Sequence, residues 1–309
     1  MSDRPVVLVG QPLLGPLIPL LSAHYDAVPL WEETGHARLG EARAIVWAGE
    51  FPLEQALVEA MPRLGLIACF TVGYDGVDLD DARARGIAVT HGGDANAEDV
   101  ADHAIGLILA HRRWIVEGDR QLRAGGWTIE AKTRTHSLGG ARLGIVGMGG
   151  IGMATARRAE VMRMRIGWWG PRDKPDLPWP RAESLLALAQ DSDILLVAAR
   201  ADESNRRMID AGVMDALGPQ GVLVNVARGQ LVDEPALVEA LRSGRLGGAA
   251  LDVFDPEPTD PARWADVPNC VLTPHTGGAT HEAVGRMASS LLANLAAHFA
   301  GDPLPNRIA

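Results

Sequence analysis

The chain has few cysteines and no long apolar run. Its two cysteines, Cys69 and Cys270, both lie in apolar stretches typical of strands. Buried thiols are therefore expected rather than a disulfide or a metal site, and we predict no metal. No run of 18 apolar residues occurs, and no apolar stretch follows a basic one at the N-terminus. Neither a membrane span nor a signal peptide is expected, and a cytoplasmic location follows by default.

Positive charge is also scarce. The 309 residues include 29 Lys and Arg against 39 Asp and Glu, which gives a net charge of −10 at pH 7. Such a chain is a poor partner for nucleic acid or for an anionic membrane surface. Apolar residues make up 47% of the sequence and charged residues 22%, which is typical of a soluble globular protein. The length predicts two domains.

One glycine-rich unit organises the rest of the chain. The apolar run Leu143–Val146 is followed by a glycine turn, by a helical pattern from Ile151 to about Met164, and by a second apolar run, Arg165–Trp169. The turn has the spacing G-x-G-x-x-G, with glycines at Gly147, Gly149 and Gly152. A plain turn is the alternative, but the order strand, turn, helix, strand favours dinucleotide binding.

Each glycine has a separate purpose in such a unit. The first permits a tight turn, the second lets the backbone approach a pyrophosphate, and the third lets helix and strand pack closely. The amides of the first helical turn then face the phosphates. The residues predicted to bind the cofactor here are Gly147, Gly149, Gly150, Ile151 and Gly152.

Strand patterns alternate with helix patterns along the remaining sequence. The other predicted strands are Pro5–Val9, Ala44–Trp47, Leu64–Phe70, Ile87–Thr90, Asp193–Ala199, Gly221–Val226, Gly248–Phe254 and Cys270–Thr273. The other predicted helices are Leu53–Ala60, Leu79–Arg85, Asn96–Arg123, Met208–Leu217, Glu234–Arg242 and Thr280–Phe299. This alternation predicts an α/β fold with doubly wound parallel sheets. As a single helix, Asn96–Arg123 would be about 42 Å long, enough to bridge two domains.

Three functional side chains each follow a separate predicted strand. They are Arg228, Glu257 and His275. Ligands of doubly wound sheets lie beyond the carboxyl ends of the strands, so these side chains are expected near the cofactor. A His paired with a carboxylate forms a general acid, and an Arg binds a substrate carboxylate or polarises a carbonyl. Each residue alone has an ordinary structural explanation, but their joint occurrence favours a catalytic site.

Several motifs together resemble the D-isomer-specific 2-hydroxyacid dehydrogenases, and most closely the glyoxylate/hydroxypyruvate reductase branch. They are TVGYDGVD from Thr71, GMGGIG from Gly147, NVARG ending at Gly229, LDVFDPEP around Glu257 and PHTGG around His275. The resemblance implies a Rossmann nucleotide domain at 98–286 and a flavodoxin-like substrate domain formed by 1–97 and 287–309. It also implies a homodimer joined through the nucleotide domains.

The resemblance implies a role for each matching residue. His275 would protonate the keto oxygen of a small 2-keto acid as hydride arrives, and Glu257 would hold His275. Arg228 would bridge the substrate's carbonyl and carboxylate. The remaining assignments are the amides of Val72 and Gly73 for the substrate carboxylate, Asp252 for the nicotinamide amide, and Val226, Ala227, Arg228, His275, Gly277 and Gly278 beside the cofactor.

The choice between NADP and NAD depends on the end of the second strand of the glycine unit. NAD specificity usually requires an acidic side chain there, to bind the ribose 2′-hydroxyl. This chain instead has Gly170 and Pro171, followed by Arg172 and Lys174. We therefore predict NADP as the preferred cofactor and NAD as the alternative, which an inward-pointing Asp173 would favour. A further cation, Arg200, is either a phosphate ligand or solvated.

The chain departs from the family pattern at two places. Glu130 stands where reductases of this branch often have a second Trp, and His91-Gly92-Gly93 replaces the usual Asn/His-Thr-Pro.

A formate dehydrogenase is disfavoured because that branch lacks the glutamate found here at Glu257, and a phosphoglycerate dehydrogenase with a regulatory domain is disfavoured by length. The alternative to an enzyme is a dinucleotide-sensing protein resembling the corepressors built on this fold.

Overall fold

The structure, a computed structural model, describes residues 4–129 and 134–309, so Glu130 lies outside the described residues. The chain divides into two compact units. Unit 1 comprises the residues up to Asn96 together with His281–Ala309, and unit 2 comprises Ala97–Thr280. Both are α/β units, each built on one parallel sheet.

Unit 1 contains a sheet with the strand order β2-β1-β3-β4-β5, which is the flavodoxin-like order. Its strands are β1 (Val6–Val9), β2 (Asp26–Pro29), β3 (Ala44–Trp47), β4 (Leu66–Cys69) and β5 (Ala88–Thr90). Its α-helices are α1 (Ile18–Ser22), α2 (Glu33–Ala37), α3 (Gln55–Glu59), α4 (Leu79–Ala84) and α12 (His281–Ala300). Two 3₁₀ helices, Pro12–Leu17 and Leu39–Glu41, complete it among the described residues.

Both faces of this sheet are covered. Side chains alternate along each strand, so Val6 and Leu8 of β1 pack into one apolar cluster while Val7 and Val9 pack into another. The second cluster includes four buried residues of α12, at Ala283, Met287, Leu291 and Leu295. Their spacing of four residues is the apolar stripe of a helix that lies on a sheet.

Unit 2 contains a sheet with the order β7-β6-β8-β9-β10-β11. Its strands are β6 (Arg142–Val146), β7 (Arg165–Trp169), β8 (Ile194–Val197), β9 (Val222–Asn225), β10 (Gly248–Leu251) and β11 (Cys270–Leu272). Its α-helices are α5 (Ala97–Arg112), α6 (Ile115–Arg123), α7 (Gly150–Val161), α8 (Leu185–Gln190), α9 (Ala211–Leu217), α10 (Glu234–Arg242) and α11 (Pro261–Trp264). Two 3₁₀ helices, Glu203–Asn205 and Gly229–Leu231, lie between them.

The strands of unit 2 end at the same level. Val146 pairs with Val197, Val197 with Asn225, Asn225 with Leu251, and Leu251 with Leu272. Because all the pairs are parallel, the residues that follow these strands emerge at a common edge of the sheet. That edge carries most of the side chains that the sequence singled out.

One predicted element was wrong, and several observed elements were not predicted, among them strand β2 and helices α2, α8 and α11. The predicted helix Asn96–Arg123 is two helices, α5 and α6, because Trp114 adopts a left-handed backbone conformation with φ 59°. The α5 helix alone, with 16 residues, is about 24 Å long. Strand β2 was not predicted, since Asp26–Pro29 has only two apolar side chains before its proline and lies at the edge of its sheet.

Candidate active site

The glycine turn of unit 2 is tightly packed at its first and third glycines. Gly147 has φ 94°, a conformation that side chains other than glycine rarely adopt. A Cβ atom on Gly147 would lie 2.6 Å from the Cα atom of Ala199, and one on Gly152 would lie 2.1 Å from the carbonyl oxygen of Gly147. Glycine is required at both positions for the end of β6, the end of β8 and α7 to meet.

The second glycine is different, because open space surrounds it. Gly149 caps α7, and a Cβ atom there would have no described atom within 4 Å. Helix α7 begins at Gly150 and continues for 12 residues. Its first turn, including Gly150 and Ile151, presents backbone amides that have no partner within the helix, together with the positive end of the helix dipole. The open position beside a helix N-terminus fits a dinucleotide pyrophosphate.

One of the two predicted phosphate-binding cations lies against this turn. The Nζ atom of Lys174 donates to the carbonyl oxygen of Met148, inside the turn, at 2.6 Å. Arg172 is exposed in the segment after β7, as is Arg200 after β8. Asp173 is exposed too, and its Oδ1 atom accepts the backbone amide of Lys174 at 2.9 Å. A positive charge therefore stands at the glycine turn, next to the end of β7.

A buried asparagine shapes the segment that carries Arg228. Asn225, the last residue of β9, accepts the amide of Ala227 at 3.0 Å and donates to the carbonyl oxygen of Arg228 at 2.9 Å. Val226 and Ala227 are buried, whereas Arg228 is half-buried and its Nη1 atom donates to the carbonyl oxygen of Ala227 at 2.9 Å. The side chain of Asn225 thereby fixes the direction in which the chain leaves the sheet at Arg228.

The segment that carries Glu257 follows β10 and rests on an ion pair between a buried glutamate and a half-buried arginine. Glu234, only 3% exposed, accepts the amide of Asp255 at 2.7 Å and pairs with Arg263. Arg263 also donates to the carbonyl oxygen of Asp255 at 3.1 Å. Sequence reasoning missed this pair, because Glu234 was visible only as the first residue of a predicted helix. A buried carboxylate needs such a partner, since an unpaired one is strongly destabilising.

His275 and Glu257 come together at the carboxyl edge of the sheet. The Nδ1 atom of His275 lies 2.6 Å from Oε2 of Glu257, and the other oxygen of Glu257 accepts the amide of Phe254 at 2.8 Å. A carboxylate only accepts hydrogen bonds, so Nδ1 carries a proton and Nε2 is the ring atom left for chemistry. About a third of each side chain is exposed.

The pKa values of the pair shift in opposite directions. The hydrogen bond to Glu257 raises the pKa of His275 above its ordinary 6.5, against opposing effects of burial and of the charge on Arg228. For Glu257, burial favours a higher pKa, but the hydrogen bonds from His275 and Phe254 and the nearby positive charges outweigh it and lower the pKa. The arrangement therefore favours a protonated ring beside an ionised carboxylate, which is the charge state of a general acid.

Asp252 is buried and fully engaged by the protein. It is 2% exposed. Its Oδ1 atom accepts the hydroxyl of Thr273 at 2.6 Å and the amide of Thr276 at 2.9 Å, and its Oδ2 atom accepts the amide of Gly277 at 2.8 Å. Burial favours a higher pKa for Asp252, but these bonds and one from His103 lower it. Sequence reasoning missed His103, which belongs to α5, far from Asp252 in sequence, and follows another polar residue, Asp102.

Gly277 is packed against the same carboxylate, and Gly278 follows it. A Cβ atom on Gly277 would lie 2.9 Å from Oδ2 of Asp252. The segment 273–278 is thus shaped around Asp252, with His275 in a left-handed conformation at φ 53°. Strained backbone of this kind is common at functional sites.

In unit 1, the predicted substrate-binding amides belong to the turn after β4. The hydroxyl of Thr71 accepts the amide of Gly49 at 2.9 Å and donates to the carbonyl oxygen of Gly73 at 2.9 Å. The ring of His91 lies with Nδ1 3.2 Å from the carbonyl oxygen of Val72. These contacts fix the turn that carries the amides of Val72 and Gly73, whose role in binding the substrate stays a prediction.

Comparison with known proteins identifies the family. Residues 105–277 match the model of the D-isomer specific 2-hydroxyacid dehydrogenase NAD binding domain, which is more than half of the chain. The chain belongs to the D-isomer specific 2-hydroxyacid dehydrogenase family. It is 40% identical over 303 residues to glyoxylate/hydroxypyruvate reductase A HPR2 of Arabidopsis thaliana, with 96% of this chain and 97% of that protein covered.

Two further relatives support the same family. Hydroxyphenylpyruvate reductase of Plectranthus scutellarioides is 44% identical over 262 residues, covering 85% of this chain and 84% of that protein. The NADPH-dependent glyoxylate/hydroxypyruvate reductase of Sinorhizobium meliloti, solved with NADP and malonate, superposes with a TM-score of 0.91. It is 35% identical and the match covers 99% of this chain and 97% of that one.

These similarities confirm the predicted family and the predicted fold class of two parallel-sheet α/β domains. This 2-hydroxyacid dehydrogenase is an NAD(P)-dependent oxidoreductase. Among residues 4–129 and 134–309, no group of three His, Cys, Asp or Glu side chains could hold a metal ion. Within the same residues, no helix is both long and apolar enough to cross a membrane.

Proposed function

We propose that this dehydrogenase reduces a small 2-keto acid, such as glyoxylate or hydroxypyruvate, to the D-2-hydroxy acid, with NADPH as the preferred reductant. The observation that carries the proposal is the 2.6 Å contact between His275 and Glu257. It lies at the carboxyl edge of the sheet that also bears the glycine turn. A protonated histidine at such an edge is suited to give a proton to a carbonyl oxygen.

His275 supplies the proton of the reaction. Its Nδ1–H bond to Glu257 holds the ring, while Nε2 gives its proton to the keto oxygen of the substrate. Bound NAD(P)H supplies the hydride that adds to the keto carbon, so the C=O bond becomes an alcohol. The ionised Glu257 favours the imidazolium before the transfer and keeps the neutral ring oriented after it.

Arg228 and two backbone amides hold the substrate. Arg228 has a guanidinium suited to bridge the carbonyl and carboxylate oxygens of a 2-keto acid. The amides of Val72 and Gly73 receive the substrate carboxylate. We accordingly assign substrate binding to unit 1, for which the sequence predicts 1–97 with 287–309, and dinucleotide binding to unit 2, for which it predicts 98–286. Asp252, with Val226, Ala227, Gly277 and Gly278, shapes the nicotinamide end of the site.

The preference for NADP is supported by charge. No acidic residue ends β7, and the segment after it contains Arg172 and Lys174. A ribose 2′-phosphate carries negative charge that these cations attract, whereas an acidic side chain in their place would repel it. Asp173 is already engaged by the amide of Lys174, which weakens its claim as a ribose ligand. Arg200 is assigned no role.

A homodimer is supported by apolar side chains on and after α6. Five of them are between 43% and 71% exposed: Ile115, Val116, Leu122, Trp127 and Ile129. Exposed apolar side chains concentrated in one segment of the chain favour a protein interface, and we assign this one to a second copy of the chain. Replacing Ile115 and Leu122 by Asp would then give a monomer in size-exclusion chromatography with light scattering.

A cytoplasmic location stays a prediction.

The deciding experiment measures initial rates of NADPH and NADH oxidation with glyoxylate, hydroxypyruvate, pyruvate and phenylpyruvate. Turnover that favours NADPH, and that is lost in His275→Ala, is the expected result. A protein that binds dinucleotide tightly and reduces none of these acids would overturn the proposal and favour a sensor.

A further inference from the structure

A second histidine of unit 2, His103, contacts the segment that bears His275 directly at Thr273 and also contacts Asp252, which binds that segment. The Nε2 atom of His103 lies 2.9 Å from the hydroxyl oxygen of Thr273 and 3.2 Å from Oδ1 of Asp252. Thr273 gives its one hydroxyl proton to Asp252, at 2.6 Å. The oxygen of Thr273 therefore accepts from His103, and Nε2 of His103 is a protonated donor to both partners.

Asp252 transmits this contact to the catalytic histidine. Its carboxylate accepts the amides of Thr276 and Gly277, and its backbone carbonyl accepts the amide of His275 at 2.8 Å. Every residue from His275 to Gly277 thus donates its amide to Asp252. At 3% side-chain exposure, the carboxylate has little contact with water, so each of its donors is hard to replace.

Helix α5 holds the same segment at a second point. Asp99 lies one turn before His103 on α5 and accepts the hydroxyl of Thr280 at 2.6 Å. The ring of His103 also lies close to Gly277, where an added Cβ atom would be 3.4 Å from Cδ2 of the ring. Two side chains on one face of α5 therefore contact the beginning and the end of the segment 273–280.

We propose that His103 is a positioning residue for His275: through Thr273 and Asp252 it fixes the segment from which the general acid projects. The inference rests on the proposed function in one respect, since it takes His275 as the acid. It assigns no contact with substrate to His103. The ring is 24% exposed and donates to the buried carboxylate of Asp252, together with Thr273, Thr276 and Gly277.

The test compares His103→Met, which removes the donor, with His103→Gln, whose amide nitrogen reaches the position of Nε2. Amide hydrogen exchange at residues 275–277 should be about tenfold faster in His103→Met than in the wild type, and close to wild type in His103→Gln. In steady-state assays His103→Met should lower kcat about fivefold to tenfold at unchanged KM for the keto acid, with rescue by His103→Gln. The exposed His36, replaced by Met, serves as the matched control.

Exchange at 275–277 that stays at the wild-type rate in His103→Met would overturn the inference. So would equal impairment of the Met and Gln variants, which would mean that the ring matters for packing alone. Should His103→Met fold poorly, Thr273→Val removes the hydroxyl link at nearly constant shape and should accelerate the same exchange. The exchange readout needs no turnover, so an inactive wild-type protein would count against the proposed function only.

Discussion

The two sheets share a topology but differ at the turn after their first strand. Both follow the order 2-1-3-4-5, and the sheet of unit 2 adds a sixth strand. Gly10 follows β1 as Gly147 follows β6, and both positions are packed: a Cβ atom on Gly10 would lie 2.2 Å from the ring of Trp47. The difference lies two residues further along the chain. In unit 2 the corresponding turn leaves Gly149 open, with nothing within 4 Å.

The helices that begin after these two turns differ as well. After Gly10 the side chain of Gln11 bonds to the backbone of Ala48, and the chain continues as a 3₁₀ helix and then α1, which has five residues. After Gly149 comes α7, with 12 residues. The comparison teaches that two sheets with the same strand order can differ in the features that favour dinucleotide binding, an open glycine and the N-terminus of a long helix.

The largest expected effect on kcat comes from a comparison of two histidines that each follow an edge strand, His275 after β11 and His91 after β5. His275→Ala should lower kcat about 10³-fold, because the proton donor is lost. His91→Ala, after β5 of unit 1, should change kcat less than about threefold, since His91 contacts a backbone carbonyl and supports only the turn at Val72. Steady-state kinetics with the keto acid that turns over measures both. Equal losses of kcat would contradict the assignment of His275 as the acid.

The two glycines provide the next contrast. Gly149→Val should raise the Kd for NADPH at least about 100-fold, because it fills the open space, while Tm changes by less than about 2 °C. Gly10→Val should destabilise the protein by about 2 kcal/mol through its clash with Trp47, and should leave the Kd unchanged. Fluorescence titration and thermal unfolding separate the two outcomes. Normal NADPH binding by Gly149→Val would refute the assigned site.

The ends of the second strands differ in charge. Strand β2 is followed by Glu32 and Glu33, whereas β7 is followed by Arg172 and Lys174. Arg172→Glu should lower the ratio of kcat/KM with NADPH to that with NADH about tenfold, because it puts a repelling charge near the 2′-phosphate. Glu32→Arg in unit 1 is the matched control and should leave the ratio unchanged. An unaltered ratio in Arg172→Glu would remove the basis for NADP preference.

The smallest expected change is in pH dependence. Because the pKa of His275 is raised above its ordinary 6.5, reduction should persist at pH 6.5 and decline only as the pH rises through that raised value. The stability that the His275–Glu257 pair supplies is fully present between about pH 4.5 and 6.5, the ordinary pKa values of the two groups. It declines as the pH rises through the raised pKa of His275 or falls through the lowered pKa of Glu257. Glu257→Gln should move the descending limb of kcat/KM to lower pH. If the descending limb of the pH profile of kcat/KM stays in place in Glu257→Gln, then Glu257 does not raise the pKa of His275.

The sequence predicted the bounds of a helix or strand correctly where a single strong pattern of apolar residues determines them. Strands β3 and β7 and helix α10 were given with their observed bounds, because apolar runs define the two strands and a helical pattern that ends before Gly244 defines the helix. The break at Trp114 was missed, since no glycine or proline marks it. Strand β2 was missed because an edge strand buries little, so its pattern is weak.

The site was predictable where a motif places a side chain directly after a strand. The positions of Arg228, Glu257 and His275 directly after their strands were predicted in this way, whereas their roles stay predictions. Glu234, Arg263 and His103 were not recognised, because they act through other residues and come from helices far away in sequence. Their positions depend on tertiary packing, which a local pattern does not record.

The two cysteines have a practical consequence. Burial raises the pKa of both the Cys69 and the Cys270 thiol to about 12. Only the thiolate reacts with alkylating reagents, so about one thiol in 10⁵ is reactive at pH 7. A fluorophore-maleimide should therefore leave the native chain unlabelled. A single cysteine introduced at Trp127, whose side chain is exposed, would then report on subunit association without prior removal of either native thiol.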